Sequence, residues 1–302
     1  MKVSVILITY NHQNYIAQAL DSVLAQETGF PFELIVSEDC STDGTRALIE
    51  QYAARHPARV RLILSPRNLN TNEVFSRALA AAQGDYIATL DGDDFWTDPR
   101  KLQRQADFLD DDTAAAICFH QVDVLHPHGR FDAQPYTARE QKQVATLADL
   151  WAANFIASCS AMIRRSALSG LPAWYESCAF GDWPLYMIAA QAGHIAYIPE
   201  TMAVYRYHGT GLWNRMTRAE QIRATRDFLR EVLFFFGRAH AADIRRQIAR
   251  TSLELVDAHI AAGDGAHARR ELLLAVARHH ALRCTPLAGI LERARKVVHH
   301  AG

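Results

Sequence analysis

The first 95 residues alternate between short apolar runs and amphipathic segments, and this alternation limits the fold more than any other feature. The apolar runs are rich in β-branched and aliphatic residues and cover 3–10, 32–39, 59–65 and 85–91. Such runs are typical of strands buried on both faces of a sheet. The segments between them carry apolar residues at helical spacing and cover 14–26, 41–56 and 71–83. Strand and helix alternating at this pace predicts an α/β fold with βαβ units and a mostly parallel sheet.

Beyond residue 95 the pattern is less regular, although further elements can be predicted. The expected helices cover 99–112 and 182–192, and the expected strands cover 114–125, 158–165 (strand or turn), 195–199 and 203–208. Residues 126–146 have little periodicity, which indicates a long loop. From Thr217 onward the pattern is helical, and Pro286 opens a last short helix. We therefore predict an α/β domain at 1–216 and an all-α region at 217–302.

The charges are divided unequally between these two parts. Residues 1–216 contain 17 Lys and Arg against 24 Asp and Glu, a net charge of −7, whereas residues 217–302 contain 15 against 9, a net charge of +6. An acidic domain with a basic tail suggests two tasks, or a domain that rests on an anionic surface. No basic stripe interleaved with aromatic residues occurs in 1–216, so we expect no nucleic-acid partner.

The cysteines and the apolar runs indicate the cellular compartment of the protein. The five cysteines are widely spaced and form no CxxC pair, which favours buried thiols in a reducing cytoplasm over a zinc or disulfide framework. The N-terminal apolar run stops after about eight residues, too few for a signal peptide. The run VLFFFG is also far shorter than the ~20 residues of a membrane span. We expect a soluble cytoplasmic protein.

The stretch YIATLDGDDFW at 86–96 places three carboxylates directly after a predicted strand. Clustered carboxylates repel one another unless a cation shares them, and hard divalent cations prefer carboxylate oxygens. A simple turn is the alternative, because Asp and Gly are also common turn residues. Polar residues follow two other predicted strands, in ITYN and in SEDCSTDGT. Ligands of open α/β sheets bind beyond the carboxyl ends of the strands, and this convergence favours a nucleotide and metal site.

These same residues resemble the family 2 glycosyltransferases, which have the Rossmann-like GT-A fold. The resemblance rests on SVILITYN, ELIVSEDCSTDGT and GDYIATLDGDDFW; it is dense over 3–110 and sparser to about 216. It implies a GT-A domain and an inverting transfer of a sugar from a nucleoside diphosphate sugar, with a UDP-sugar favoured, to an acceptor hydroxyl. It also implies Mn²⁺ or Mg²⁺ as cofactor and a place in polysaccharide or glycolipid assembly.

The resemblance assigns a set of donor-binding residues. Asp39 matches the aspartate that accepts a hydrogen bond from the uracil imide, although a turn or cap role remains open. Glu38 stands where many relatives have another aspartate, which is a departure. Arg67 contacts the base or a phosphate, or is simply solvated. The implied nucleotide-binding set is Thr9, Tyr10, Asn11, Glu38, Asp39, Arg67 and Asp91.

The metal and the diphosphate are assigned in the same way. Asp91 and Asp93 match the DxD motif of the family, and Asp93 is expected to be the principal metal ligand. His208 is expected to complete the metal shell, since a neutral imidazole can bind Mn²⁺. Asp94 either replaces one of the metal ligands or holds the ligands in place without binding the metal itself. Arg206 is a candidate contact of the diphosphate.

Asp182 matches the general base of the family, which lies at a helix start before a short strand. Most relatives have Glu-Asp where this chain has Gly181–Asp182, so the preceding carboxylate is missing. A base here would deprotonate the acceptor hydroxyl as that hydroxyl attacks the anomeric carbon. The structural alternative is a helix N-cap, with Pro184 just inside the helix, and one residue can do both.

The remaining expectations concern the tail and the competing classes. We favour packing of the C-terminal helices on the α/β domain or on a second copy, with peripheral contact to the inner membrane as a secondary role. The expected acceptor is a saccharide or a lipid-linked saccharide. A phosphatase and a sugar-nucleotidyltransferase fit the motif positions poorly. The main alternative is a catalytically silent sugar-nucleotide-binding or scaffold protein that retains the GT-A fold.

Overall fold

The computed structural model describes residues 1–132, 134–136, 141–208, 211–277 and 287–299. The chain divides into two compact units, Met1–His208 and Gly209–Gly302. The division falls a few residues before the boundary at 216 that the sequence favours.

The N-terminal half of the first unit consists of four parallel strands connected by helices. The strands are β1 (Val3–Thr9), β2 (Phe32–Glu38), β3 (Val60–Leu64) and β4 (Tyr86–Asp91), and the helices are α1 (Ile16–Leu24), α2 (Thr45–Arg55) and α3 (Glu73–Ala81). Their spatial order is β3-β2-β1-β4. The register aligns Thr9 with Glu38 and Ile8 with Asp91, so the ends of β1, β2 and β4 lie at one edge.

The second half of this unit extends the sheet and makes it mixed. Its elements are β5 (Phe95–Trp96), α4 (Lys101–Asp111), β6 (Ala115–His126), β7 (Arg130–Phe131), β8 (Val144–Ala145), α5 (Leu147–Leu150), β9 (Met162–Arg164), α6 (Asp182–Ala189) and β10 (His194–Arg206). The order continues β4-β9-β6-β10-β5, with β9 antiparallel to both of its neighbours and β10 parallel to β6. The predicted α/β class and the sheet flanked by helices are thereby confirmed.

Three local expectations differ from the structure. The strands expected at 195–199 and 203–208 are one strand, β10, whose register shifts between Ile198 and Ala203, where Pro199 offers no N–H to the ladder. The loop expected at 126–146 contains β7 and β8, and residues 133 and 137–140 of it lie outside the described residues. Helix α2 begins at Thr45, not at Ser41 or Thr42.

The core lies between the sheet and its helices. Strand residues Val5, Leu7 and Leu34 are fully buried and belong to one apolar cluster with Leu20 of α1 and Leu102 of α4. The buried runs of β1 and β2 explain why these strands read as nearly continuous apolar segments in the sequence. The rigid packing of this layer fixes the strand ends from which the polar loops depart.

The second unit is helical in the residues that the structure describes. Its helices are α7 (Leu212–Arg215), α8 (Arg218–Ala261), α9 (Gly265–Ala277) and α10 (Leu287–His299); Pro286 lies outside the described residues. A capping box between Thr217 and Glu220 opens α8, and Gly237 interrupts it with φ of 26°. None of the described helices is long and apolar enough to span a membrane.

Candidate active site

The loops after β1 and β2 are fastened to each other at the edge of the sheet. The backbone N–H of Asn11 donates to Oγ of Ser41 at 2.9 Å, and Oδ1 of Asn11 accepts from the N–H of Thr42 at 2.8 Å. Asn11 itself has a left-handed backbone, with φ of 55°. Ser41 and Thr42 therefore hold the loops together and do not cap α2, which is why the helix starts later than expected. Tyr10 lies exposed on this edge.

Asp39 is buried and binds the loop that follows β3. Its Oδ1 accepts from the N–H of Leu69 at 2.8 Å, and its Oδ2 accepts from the N–H of Asn70 at 3.0 Å. Its own N–H donates to the carbonyl of Thr9. Asp39 thus connects three strand ends, and each oxygen retains a lone pair for a further donor. Arg67, in the same loop, is exposed.

Glu38 faces away from that loop toward α2. Its carboxylate is fully buried and accepts from Nε of Arg46 at 2.7 Å, from the Nη2 group of Arg46, and from the N–H of Ser41. A buried carboxylate with an arginine and an amide on its oxygens is a structural ion pair. The nucleotide contact implied for Glu38 stays a prediction, and these contacts favour a supporting role for its side chain.

The carboxylate of Asp93 lies next to two imidazoles, those of His208 and His12. Nε2 of His208, as the protonated nitrogen, donates to Oδ2 of Asp93 at 2.8 Å, and Nε2 of His12 lies 3.6 Å from the same oxygen. Burial would raise the pKa of Asp93, but the hydrogen bond from His208 and the nearby His12 outweigh it and hold this pKa below its usual range. The structure thus brings together Asp93 and His208, 115 residues apart in sequence.

His12 was not identified from the sequence, although it follows a strand end. Its N–H donates to Oγ1 of Thr45 at 2.8 Å, and its Nδ1 lies 3.3 Å from Oγ1 of Thr9. Burial lowers the pKa of His12, and the neighbouring His208 acts in the same direction while Asp93 opposes it. A Cβ on Gly92 would lie 2.6 Å from Oγ1 of Thr9 and 2.8 Å from Nδ1 of His12. Glycine at 92 therefore allows the DGDD turn to approach the loop after β1.

The other two carboxylates of DGDD have different surroundings. Oδ2 of Asp91 accepts a hydrogen bond from the hydroxyl of Ser158, and burial together with the charge of Asp93 raises the pKa of Asp91 to about 7. Asp94 is almost fully buried, and its Oδ1 accepts from the N–H of Arg206 at 2.8 Å. Burial, then the charges of Asp93 and Asp91, raise the pKa of Asp94 well above its usual value. Asp94 joins the turn to β10.

The side chain of Arg206 supports the turn from the other side. Its Nε donates to the carbonyl of Asp93 at 2.8 Å, and its Nη2 donates to Oε1 of Gln18 at 2.8 Å. The guanidinium also lies over the rings of Tyr15 and Phe95, at 4.9 and 5.0 Å. These contacts show an arginine that fixes the DGDD backbone; its contact with a diphosphate stays a prediction.

The donor atoms near Asp93 fit a cation that is shared with a ligand. Among the described residues, no group of three or more His, Cys, Asp or Glu side chains forms a ready-made metal cage. Asp93 offers a carboxylate oxygen, and Nε2 of His208, 2.8 Å away, would become a second ligand once a competing cation displaces its proton. Mg²⁺ is commonly held by one or two carboxylates while substrate phosphates and water supply the other ligands. Such a site is expected to be incomplete without the diphosphate.

Asp182 is the first residue of α6, and Gly181 is the N-cap. The N-cap position expected for Asp182 is therefore off by one residue. Oδ1 of Asp182 accepts from the N–H of Trp183 and Oδ2 accepts from Nδ2 of Asn154, both at 2.7 Å. Burial raises the pKa of Asp182, and these two hydrogen bonds work against the increase. Asp182 in turn contributes to the raised pKa of Asp91.

The segment before α6 is anchored by a residue from the other half of the unit. Nδ2 of Asn72 donates to the carbonyls of Tyr175, Cys178 and Phe180, at 3.0, 3.1 and 2.7 Å. Asn72 precedes α3, which follows β3. This anchor holds the start of α6 to the edge where the strand ends meet. Asn72 and Ser158 lie at the starts of the elements predicted at 71–83 and 158–165, whereas Asn154 lies where the sequence predicts no element.

Comparisons with known proteins identify the family of this chain. The profile of Glycosyl transferase family 2 matches residues 4–171, more than half of the chain, and the chain belongs to this family. An uncharacterized protein of Mycobacterium tuberculosis (strain ATCC 25618 / H37Rv) is 41% identical over 214 residues, which are 70% of this chain and 60% of that protein. The succinoglycan biosynthesis protein ExoO of Rhizobium meliloti (strain 1021) is 38% identical over 128 residues, 42% of this chain and 35% of that protein. The chain thus spans 60% of the length of the mycobacterial relative.

Solved structures share the fold at low sequence identity. Staphylococcus aureus TarS 1–349 in complex with UDP-GlcNAc superposes with a TM-score of 0.65 at 19% identity, covering 99% of this chain and 89% of that chain. The mannosyltransferase PcManGT from Pyrobaculum calidifontis, in complex with GDP-Man and Mn²⁺, gives a TM-score of 0.57 at 19% identity, covering 98% and 87%. The predicted GT-A fold is confirmed.

Proposed function

We propose that this protein is an inverting glycosyltransferase that transfers a hexose or N-acetylhexosamine from a nucleoside diphosphate sugar to an acceptor hydroxyl. The observation that carries the proposal is the approach of two chemical groups to one strand edge. Oδ2 of Asp93, after β4, lies 2.8 Å from Nε2 of His208, after β10, and the carboxylate of Asp182, at the start of α6, is near enough to influence the pKa of Asp91. Leaving-group stabilisation and base catalysis need these two groups side by side.

The donor nucleotide is proposed to lie along the ends of β1, β2 and β4. The nucleoside would be lined by Thr9, Tyr10 and Asn11. Asp39 would accept a hydrogen bond from the imide N–H of uracil, and Asp91 would contact the ribose. The fixed loops support this proposal, because a preorganised edge binds without the cost of ordering. UDP is the nucleotide we favour, since a carboxylate suits the N–H of uracil. GDP is the nucleotide of PcManGT and is the first alternative to test.

Asp182 is proposed to act on the acceptor. Its carboxylate would take the proton of the acceptor hydroxyl as the oxygen attacks the anomeric carbon from the face opposite the nucleotide. The bond from that carbon to the diphosphate breaks, and the nucleoside diphosphate leaves with the electron pair. Burial favours a base of raised pKa, which lies closer to neutral pH and accepts a proton more readily.

Asp93 and His208 are proposed to hold the divalent cation, Mn²⁺ or Mg²⁺. A cation bound there would neutralise the charge that develops on the diphosphate as it leaves. The low pKa of Asp93 keeps this carboxylate ionised and ready to bind. Asp94 and Arg206 would keep the turn in place, and Ser158 would hold Asp91.

The acceptor is proposed to be a saccharide or lipid-linked saccharide in the assembly of a polysaccharide or glycolipid. The support is indirect, from relatives such as the succinoglycan biosynthesis protein. A cytoplasmic location agrees with Cys40, Cys118 and Cys159, which are free thiols. Sugar identity, linkage and acceptor all depend on the shape of the pocket.

The test is the substitution Asp182→Asn. We expect UDP or UDP-sugar binding to stay near the wild-type value while sugar transfer falls by about 10²- to 10⁴-fold, the usual contribution of a general base. Isothermal titration and a UDP-release assay measure the two quantities on the same preparation. Full turnover in this variant would refute the base assignment and leave Asp182 as a residue of the helix start.

A silent sugar-nucleotide-binding protein is the second candidate function. It predicts nucleotide binding in the wild type without transfer to any saccharide or lipid-linked acceptor. The carboxylate of Asp182 opposes this candidate, because a part-buried ionisable group of raised pKa beside a ligand site is typical of catalysis. Turnover of any UDP-sugar that Asp182→Asn removes would exclude the silent protein.

The second unit is proposed to bind a second copy of the chain, with peripheral contact to an anionic membrane as a secondary role. Phe234 on α8 is 95% exposed, which is unusual for a large aromatic side chain. Residues 217–302 also carry the excess of positive charge. If a second copy covers this face, Phe234→Ser should lower the sedimentation coefficient toward that of the monomer. If a membrane covers it, the same substitution should lower binding to phosphatidylglycerol vesicles.

A further inference from the structure

We propose that Asn154 is a positioning residue of the acceptor site: its amide N–H directs Oδ2 of Asp182 and keeps this carboxylate ready to accept a proton. The inference rests on the proposed function, because it assigns to Asn154 a role in the action of the proposed base. Asn154 is 28 residues away in sequence, in the connection between α5 and the turn at Ser158–Ser160.

The orientation of the Asn154 amide follows from its two contacts. Its Oδ1 accepts from the N–H of Ile156 at 3.1 Å, which identifies that end of the amide as the oxygen. The –NH₂ end must then point the other way, and Nδ2 lies 2.7 Å from Oδ2 of Asp182. A side chain whose oxygen is fixed by its own loop offers a donor of fixed direction.

The loop that carries Asn154 is attached to α6 at a second point. Nε1 of the buried Trp183 donates to the carbonyl of Leu150 at 2.9 Å. The carboxylate of Asp182 is thus held on both sides, by the N–H of Trp183 on Oδ1 and by Asn154 on Oδ2. A hydrogen bond to each oxygen sets the rotation of the carboxylate and leaves the remaining lone pairs for the acceptor hydroxyl.

The charge state of Asp182 depends on these donors. Burial raises its pKa, whereas the hydrogen bonds from the Trp183 backbone and from Asn154 lower it. The titratable groups whose ionisation is coupled to Asp182 are Asp91 at the end of β4, Tyr136 in the segment after β7, Tyr175 before α6 and Tyr186 on α6. All four become negative when they ionise and none of the four supplies a cation, so the hydrogen bonds from Trp183 and Asn154 are what favours the ionised form of Asp182.

Asn154→Asp separates the proposed role from a merely structural one. Aspartate has the same shape and keeps an oxygen for the N–H of Ile156, so the local turn is retained. It replaces the donor by a carboxylate 2.7 Å from that of Asp182. If Asn154 serves only the turn, turnover keeps the wild-type pH profile even though the new carboxylate repels that of Asp182. Asn154→Ala removes both contacts and serves as the comparison.

The measurement is the pH profile of UDP release with UDP-glucose or UDP-N-acetylglucosamine and p-nitrophenyl glycosides as acceptors. We expect kcat at pH 7 to fall about tenfold to a hundredfold in Asn154→Asp, as for the loss of a hydrogen bond to a charged group, with UDP binding unchanged. The acidic limb of the profile should move to higher pH, and part of the lost rate should return there. A wild-type profile for Asn154→Asp overturns the inference.

A second readout needs no substrate. In protein labelled with [¹³C]aspartate, the carboxyl resonance of Asp182 is assigned by its loss in Asp182→Asn, and it should titrate at higher pH in Asn154→Asp than in wild type. An unchanged titration overturns the inference even if Asn154→Ala fails to fold. Full turnover in Asp182→Asn would instead refute the proposed base. Loss of turnover in Asp182→Asn with wild-type behaviour in Asn154→Asp would refute only the role of Asn154.

Discussion

Replacing Asp39 by asparagine should both destabilise the first unit and weaken nucleotide binding. The two oxygens of Asp39 accept from the N–H groups of Leu69 and Asn70, and the residue is only 6% exposed. Asparagine keeps one acceptor and turns an –NH₂ group toward the other N–H. Loss of one hydrogen bond to a charged group costs ~2–3 kcal/mol. For a unit of this size, that corresponds to a Tm lower by about 4–12 °C.

The assay is thermal unfolding followed by circular dichroism, with UDP titration calorimetry on the same variant. UDP affinity should fall about tenfold if Asp39 also accepts from uracil. Asp43→Asn is the matched control, because Asp43 also accepts from two backbone N–H groups, those of Thr45 and Gln13, but is more exposed. This control should cost under about 1 kcal/mol. Equal and small losses in both variants would refute the role given to the buried carboxylate.

Three further predictions concern the surroundings of the site. Gly92→Ala should cost ~1–3 kcal/mol and weaken UDP binding, because its Cβ would overlap Thr9; a fully stable variant with normal binding would show that the turn adapts. Arg46→Met should cost ~3–5 kcal/mol in urea unfolding, since it removes the arginine that pairs with the buried carboxylate of Glu38, and a neutral result would contradict the role given to this ion pair. Burial lowers the pKa of Lys101 to about 7, so the folded state binds fewer protons than the unfolded state between pH 7 and 10.5. The unfolding free energy of wild type relative to Lys101→Met should therefore rise with pH across that window, by at most about 1.4 kcal/mol per unit, and a flat difference would contradict this.

The first half of the fold could be predicted because its signals are local. The buried runs of β1, β2 and β4 are continuous in the sequence, and helical periodicity separates them. The start of α2 was misplaced because Ser41 and Thr42 are good caps in isolation but are used to hold Asn11. Tertiary hydrogen bonds here override a local preference. The shift of register in β10 depends on pairing with β6 and leaves no periodic signal.

The candidate site was predictable where it lies at strand ends and unpredictable elsewhere. Asp93 lies two residues after the end of β4 and contacts His208, whereas the metal role of both stays a prediction. Asn154 lies in a short irregular connection, and its importance depends on a contact that only the folded chain creates. His12 could have been proposed from its place after β1, as Asn11 was. The roles of Glu38 and Arg206 depend on side-chain direction, which spacing alone does not give.

The most direct test of the account is titration calorimetry of UDP and of UDP-sugars, with Mn²⁺ and with a chelator, on wild type and Asp93→Ala. We expect binding to wild type that requires the metal and is lost in the variant. His208→Ala should weaken the metal-dependent part, whereas Asp43→Asn should leave it unchanged. Tight binding that ignores both the metal and the loss of Asp93 would contradict the cation site. Absence of binding for UDP, GDP and dTDP alike would contradict the donor site itself.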